Sequence, residues 1–230
     1  MKKKAVCLFS GGLDSTTALY AARAENEECI ALTFHYGQRH SKEIECARKI
    51  AGELGLAHFL VPIELPWKGS ALLDSGIAMP SGRSEHEMQK DIPVTYVPAR
   101  NSIFLTLAAS CAEASGVEAI YIGANALDYS GYPDCRPEYF EAAGKMLLLG
   151  TKAGVEGKAL AIKAPLLRMS KKEIVLLGAK LGVPFEKTWS CYQGKERPCG
   201  ECDSCVLREK GFREAGISDP LLNHETSSHR

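Results

Sequence analysis

The stretch that most constrains the fold lies near the beginning of the chain, where residues 4–20 read KAVCLFSGGLDSTTALY. Five apolar residues precede a polar glycine turn, Ser10 to Ser15, and a helix-like run opens at Thr16. A short apolar run bounded by such a turn is typical of a buried parallel strand. This order leaves backbone N–H groups unpaired at the start of the helix, where the helix dipole also favours an anion. The stretch therefore predicts a turn that binds phosphate or pyrophosphate.

The residue types in this turn separate it from other phosphate-binding motifs. Gly11 and Gly12 allow the backbone to approach an anion closely, and Ser10 and Ser15 add hydroxyl groups. The lysine of the kinase and GTPase P-loop is missing, and so is the dinucleotide fingerprint G-x-G-x-x-G. An aspartate beside a polyphosphate is repulsive unless a cation intervenes. We therefore expect Asp14 to help hold Mg²⁺ or to orient the turn.

The hexapeptide SGGLDS resembles the SGG-x-D-S/T signature of the PP-loop ATP pyrophosphatases, which activate a carboxyl or carbonyl oxygen by adenylation. The alternative is an ordinary glycine turn in which Asp14 caps a helix. The resemblance implies catalytic roles for Ser10 and Asp14 and an ATP site with Mg²⁺. The residues expected to bind the nucleotide are Phe9, Ser10, Gly11, Gly12, Leu13, Asp14, Ser15 and Thr16.

The composition is that of an ordinary soluble protein. The 230 residues are 45% hydrophobic and 24% charged, and the formal net charge is zero, so binding by neutralisation of many nucleic-acid phosphates is not expected. The apolar run at residues 5–9 is too short for the h-region of a signal peptide, and no stretch approaches the roughly 20 apolar residues of a membrane span. We expect a cytoplasmic protein with no membrane or nucleic-acid partner.

The first 65 residues predict the order β-α-β-α-β. Strands are expected at Cys29–Phe34 and His58–Ile63, with a helix at Ser41–Leu54, and later strands near 119–123 and 160–164. This order predicts an α/β fold with a doubly wound, mainly parallel sheet, whose ligands bind at the carboxyl ends of the strands. Tyr36 and Gln38 follow the second strand and are therefore candidate substrate-binding residues.

The remaining organisation is less regular. Residues 66–97 are punctuated by glycine and proline and predict a lid or insertion beside the site. We expect a nucleotide-binding domain at 1–185 and a small helical, zinc-binding segment at 186–230.

Two further segments bear candidate site residues. Arg100 and Asn101 precede a helix expected from Ser102 to Ser115; either Asn101 or Ser102 caps that helix and Arg100 is solvated, or Arg100 faces an anionic ligand. Residues 128–136, DYSGYPDCR, follow a strand and combine aromatic, acidic and basic side chains, which favours a substrate loop over a plain surface loop.

A capping box, formed by Ser170 and Glu173, predicts the start of a helix at Lys171 that Gly182 ends. Arg168 and Lys171 are placed to reach a triphosphate or, equally, to be solvated charges.

Four of the nine cysteines lie close together near the end of the chain. Cys191, Cys199, Cys202 and Cys205 have the spacing C-x7-C-x2-C-x2-C. Four thiolates close a tetrahedral shell around one structural Zn²⁺ and leave no position for water. An iron–sulfur cluster and unligated thiols are the alternatives.

PARNSIF, GYPDCRPEYF and PCGECDSC, together with SGGLDS, make the chain resemble the 7-cyano-7-deazaguanine synthases of the queuosine pathway from about residue 4 to 217. The resemblance implies an ATP-dependent carbon–nitrogen ligase that converts 7-carboxy-7-deazaguanine and ammonia to the nitrile in two ATP-consuming rounds. It also implies one zinc ion, and we expect a homodimer. The implied substrate-binding residues are Tyr36, Gln38, Arg100, Tyr132, Asp134 and Arg136, with Arg100 also catalytic. Another PP-loop enzyme that thiolates tRNA and a non-catalytic zinc module that binds nucleic acid are the alternative functions.

Overall fold

The computed structural model describes residues 3–26, 28–88, 90–127 and 131–222. Within them five parallel strands form one sheet in the order β3-β2-β1-β4-β5, which confirms the expected α/β fold. The strands are β1 (Lys4–Leu8), β2 (Glu28–His35), β3 (Ala57–Pro62), β4 (Ala119–Ile122) and β5 (Ala161–Lys163).

The strands alternate with helices that differ in length. The helices are α1 (Leu13–Glu25), α2 (Lys42–Glu53), α3 (Glu85–Met88), α4 (Arg100–Ala114), α5 (Pro137–Gly150), α6 (Lys152–Val155), α7 (Lys171–Leu181) and α8 (Asp203–Ala215). No helix in these described ranges is both long enough and apolar enough to span a bilayer.

The core has two layers, one on each face of the sheet. In β1 the side chains of Ala5 and Cys7 pack with α1 and α2, whereas those of Val6 and Leu8 pack with α4 and α5. This alternation follows from the two-residue period of a strand. Helices therefore cover both faces, and the polar turns that follow the strands meet at one edge of the sheet.

Helices α1 and α4 begin earlier than the sequence predicted. Helix α4 begins at Arg100, so of the two alternatives the one in which Asn101 or Ser102 caps the helix is wrong. The preceding residue, Ala99, has a left-handed backbone (φ 54°), and the N–H of Asn101 donates to the Asp134 carboxylate over 3.0 Å. The acceptor for this first-turn N–H is therefore the carboxylate of Asp134, which lies 33 positions away along the chain, and not a side chain beside the helix start. The capping box at Ser170 and Glu173 is confirmed.

The described residues of 66–97 are irregular apart from α3. Ser81 and Arg83 of this range contact the segment that contains the four cysteines. Ser81 pairs with Cys202 in an isolated bridge, and the Arg83 guanidinium is bonded to the Asp203 carboxylate, which is fully buried. Whether this segment acts as a lid remains a prediction.

The C-terminal segment packs closely on the remainder of the fold. Helix α8 lies against α7, and the rings of Phe185 and Phe212 meet edge to face with centroids 5.0 Å apart. Arg208, which is buried, forms two hydrogen bonds with the Asp219 carboxylate (2.6 and 2.8 Å) and thereby fixes the chain beyond α8.

Candidate active site

A cleft of about 270 Å³ opens at the carboxyl ends of β1, β2 and β4. Residues from the first turns of α1, α2, α4 and α7 line it. The dipoles of these helices favour negative charge in the cleft. The edge of the sheet that the sequence predicted as the ligand site is therefore the edge that bears the cleft.

The glycine turn at residues 10–15 is held in shape by its own side chains. The hydroxyl oxygens of Ser10 and Ser15 lie 3.0 Å apart, and the N–H of Gly12 donates to Ser10 Oγ over 3.3 Å. Ser15 Oγ in turn donates to the carbonyl of Gly12 over 3.1 Å. These hydrogen bonds fix the shape of the turn.

The middle of the turn lies unusually close to α2. Gly11 has φ +88°, and a β-carbon placed on it would lie 2.2 Å from the carbonyl oxygen of Glu43 and 2.6 Å from the amide nitrogen of Ala47. The carbonyl of Gly11 also accepts the N–H of Trp189 over 3.1 Å. Only glycine fits this position. The hydrogen bond from Trp189 connects the turn to the C-terminal segment.

Asp14 and Lys171 form an ion pair at the edge of the turn. Lys171 Nζ lies 2.9 Å from both carboxylate oxygens of Asp14, and the lysine side chain is 8% exposed. The stem of Lys171 passes over Gly211 of α8, where a β-carbon would lie 2.3 Å from Lys171 Cγ. The prediction that Lys171 could be a solvated charge is therefore wrong, because three elements enclose it.

The far wall of the cleft is aromatic. The rings of Phe34 and Phe104 stack with centroids 4.2 Å apart, and Tyr36 meets Phe104 edge to face at 5.4 Å. Arg100 Nη1 donates to the Tyr36 hydroxyl over 3.4 Å. Tyr132, also in the lining, shares a hydrogen bond of 2.7 Å with Thr95. This wall suits a flat heterocycle that bears an anionic group.

The cleft brings together most of the residues predicted from sequence but not all of them. The predicted residues that line it are Phe9, Ser10, Gly12, Leu13, Asp14, Ser15, Tyr36, Gln38, Arg100, Tyr132 and Lys171. The predicted residues outside that lining are Gly11, Thr16, Asp134, Arg136 and Arg168.

Several of the predicted residues, inside and outside the lining, form hydrogen bonds within the protein. Asp134 accepts the N–H of Asn101, the hydroxyl of Thr16 donates to the carbonyl of Gly12 over 2.7 Å, and Gln38 Oε1 accepts the N–H of Tyr36 over 2.9 Å. Arg136 is exposed, and its Nε donates to the carbonyl of Pro133 over 3.2 Å. Residues 128–130 of the predicted substrate loop lie outside the described residues.

Two residues of the cleft were not singled out in the sequence. Burial raises the pKa of Glu43 to about 7, with Arg100 lowering it and Asp14 raising it. Burial likewise raises the pKa of Cys135 to about 12, so its thiol is protonated and a poor nucleophile. Glu43 could have been found from the sequence, because it lies in the first turn of the predicted helix that follows the strand-end residues Tyr36 and Gln38.

The four predicted cysteine ligands form a single cluster. Their sulfur atoms all lie within 4.8 Å of one another, and Cys199 Sγ and Cys205 Sγ are 3.9 Å apart. Tetrahedral Zn–S bonds of about 2.3 Å require sulfur atoms about 3.8 Å apart. Backbone N–H groups of Gln193 and Cys199 donate to Cys191 Sγ over 3.4 and 3.3 Å, which suits a thiolate. The cluster can hold a metal ion.

The chain is similar in sequence to known proteins of one family. The model of a protein family described as "Queuosine biosynthesis protein QueC" matches residues 4–216. A 7-cyano-7-deazaguanine synthase of Trichodesmium erythraeum is 56% identical over 221 residues, which are 95% of this chain and 100% of that protein. The synthase of Thermoplasma acidophilum is 53% identical over 220 residues, covering 96% of this chain and 92% of its own length.

The solved structures that match the chain are more distant in sequence. A U34-tRNA thiolase from Methanococcus maripaludis has a TM-score of 0.47 at 16% identity and covers 100% of this chain and 79% of its own. An NMN synthetase from Francisella tularensis has a TM-score of 0.46 at 14% identity and covers 94% and 88%.

Proposed function

The chain belongs to the QueC family of queuosine biosynthesis proteins, and from that membership we propose that it is a 7-cyano-7-deazaguanine synthase. Such an enzyme is an ATP-dependent ligase of the carbon–nitrogen type, which joins ammonia to 7-carboxy-7-deazaguanine and yields the nitrile. The observation that supports this most directly is that the glycine turn and the aromatic, arginine-bearing wall line one cleft.

The chemistry accounts for the need for ATP. A carboxylate is a poor electrophile, whereas its adenylate has a leaving group that ammonia can displace to form the amide. The amide oxygen must then be activated a second time before its loss leaves the nitrile. We assign the polyphosphate of ATP to the turn at residues 10–15, with Lys171 as a cation held toward the phosphates by Asp14. Bound Mg²⁺ would supply further neutralisation of phosphate charge there.

We assign the deazaguanine to the wall formed by Phe34, Tyr36 and Phe104, on which a flat base can stack. The guanidinium of Arg100 at this wall is suited to the substrate carboxylate. Additional contacts from Tyr132, Asp134 and Arg136 remain predictions.

We assign one structural Zn²⁺ to the four cysteines. Because the N–H of Trp189 and the stem of Lys171 connect the C-terminal segment to the nucleotide turn, the metal would hold one side of the active site in place. None of the nine cysteines, all of which lie in the described residues, forms a disulfide; this accords with a reducing compartment, and we propose a cytoplasmic enzyme. A homodimer remains a prediction that light scattering tests.

The cysteine of the described cleft lining is Cys135, whose buried thiol is protonated, and this disfavours a tRNA-thiolation chemistry that uses a reactive cysteine in the cleft. Incubation with 7-carboxy-7-deazaguanine, ammonium and ATP, followed by mass detection of products, tests the proposal. We expect the amide to appear first and two ATP molecules to be consumed for each nitrile. ATP consumption that does not depend on the deazaguanine would refute it.

A further inference from the structure

The cleft contains one carboxylate for which the assignments above give no role. Glu43 lies in the first turn of α2 and lines the cleft. A β-carbon placed on Gly12 would lie 3.5 Å from Glu43 Oε1, so the carboxylate is beside the nucleotide turn. Within the described part of the chain its oxygens make no hydrogen bond or ion pair. Neither oxygen is fully buried, so a ligand in the cleft can reach the carboxylate.

Burial and two neighbouring charges set the pKa of the Glu43 carboxyl group. Burial is the largest effect and raises its pKa to about 7, while Arg100 opposes and Asp14 reinforces that shift. The other charged or titratable side chains of the described cleft lining are Arg39, His40, Lys171, Arg208, Tyr36, Tyr132, Tyr192 and Cys135. A carboxyl with a pKa near neutrality is suited to accept and release protons at working pH.

The proposed reaction needs such a group. Ammonia is mostly ammonium at neutral pH, and ammonium has no lone pair with which to attack an activated carbon. Because Arg100 and Lys171 also line the cleft, an anionic side chain there would favour the binding of ammonium. Asp14 is already paired with Lys171, which leaves Glu43 as the available carboxylate of the described lining.

We propose that the Glu43 carboxylate binds ammonium in the cleft and accepts a proton from it, a role that rests on the proposed function. One N–H bond breaks, its electron pair stays on nitrogen, and the proton moves to a carboxylate oxygen. The lone pair then forms the C–N bond, and the C–O bond to the adenylate breaks with its electrons on the oxygen of AMP. The nitrogen loses one further proton as the amide forms, and Glu43 releases protons to water at the cleft mouth.

The same carboxylate serves the second round. When the amide becomes the nitrile, its nitrogen loses both remaining protons while the oxygen leaves on AMP. The nitrogen of the amide is the atom that entered as ammonia. It therefore stays beside Glu43 as long as the intermediate does not rotate in the cleft. A single proton acceptor beside the nitrogen is therefore sufficient for both rounds.

Glu43→Gln separates this role from a structural one, because glutamine keeps the size but cannot accept the proton. With ammonium at pH 7 we expect nitrile formation to fall roughly 10²-fold, in line with the loss of a general base. Hydroxylamine is mostly neutral at pH 7 and also captures acyl adenylates, so hydroxamate formation should fall far less. Glu43→Asp should recover part of the ammonium-dependent rate. The matched control is Glu45→Gln on the same helix, where Glu45 is exposed and bonded to Ser41.

The pH profile at a fixed total concentration of ammonium gives a second readout. The wild-type rate should level off above pH 7, once Glu43 is deprotonated, whereas the Glu43→Gln rate should keep rising about tenfold per pH unit with free ammonia. Equal losses of nitrile and hydroxamate in Glu43→Gln, or parallel pH profiles, would overturn the role of Glu43 alone. A wild-type protein that forms neither product would instead refute the proposed function, and the inference with it.

Discussion

Replacement of Gly11 by alanine tests the close contact on which the nucleotide turn depends. The β-carbon that Gly11→Ala introduces would meet two backbone atoms of α2, at 2.2 and 2.6 Å, and backbone atoms cannot rotate away as a side chain can. The positive φ of +88° adds strain for any residue with a β-carbon. Either the turn or the start of α2 must move.

The magnitude follows from these two contributions. A left-handed conformation costs roughly 1–2 kcal/mol, and an overpacked contact adds roughly 1–3 kcal/mol, so Gly11→Ala should lower the free energy of unfolding by about 2–5 kcal/mol. For a chain of this size that corresponds to a fall in Tm of roughly 4–20 °C. Gly55→Ala is the matched control, because Gly55 has φ +63° with nothing within 4 Å of its β-carbon position; its cost should stay near roughly 1–2 kcal/mol.

The assays are thermal unfolding and the affinity for a non-hydrolysable ATP analogue measured by calorimetry. A displaced turn loses at least one charge-assisted hydrogen bond to phosphate, worth about 1.5–3 kcal/mol, so affinity should fall roughly 10- to 100-fold. Gly55→Ala should bind the analogue like the wild type. If the two variants are equally stable and bind equally well, the reasoning from the close contact is refuted.

Three further variants test individual assignments. Asp14→Asn leaves the buried Lys171 ammonium without its carboxylate partner and should lower ATP-dependent turnover roughly 10²-fold; unchanged kinetics would exclude Asp14 from the mechanism. Cys202→Ser should lower bound zinc and Tm together while Cys111→Ser changes neither, and full zinc occupancy in Cys202→Ser would contradict the ligand assignment. Arg136→Ala should raise the KM for the deazaguanine and leave that for ATP nearly unchanged; a defect confined to ATP would show that Arg136 acts elsewhere.

The sequence determined the features that depend on neighbouring residues. The order of strands and helices followed from hydrophobic periodicity, because a buried parallel strand and an amphipathic helix each have a local pattern. The cysteine cluster was predictable because its last three ligands lie within seven positions of one another, from Cys199 to Cys205, which limits how far apart they can fold. The SGGLDS turn was predictable for the same reason.

The tertiary structure decided which side chains are paired and which are left to bind ligands. Lys171 meets Asp14 across 157 positions, and Asp134 reaches the start of α4 across 33 positions, so neither partner can be read from local spacing. The pKa of Glu43 rises to about 7 because the fold buries its carboxyl group and places it near Asp14 of the glycine turn and Arg100 at the start of α4. Desolvation and ion pairing depend on every element that surrounds a group, and the order of residues along the chain does not specify them.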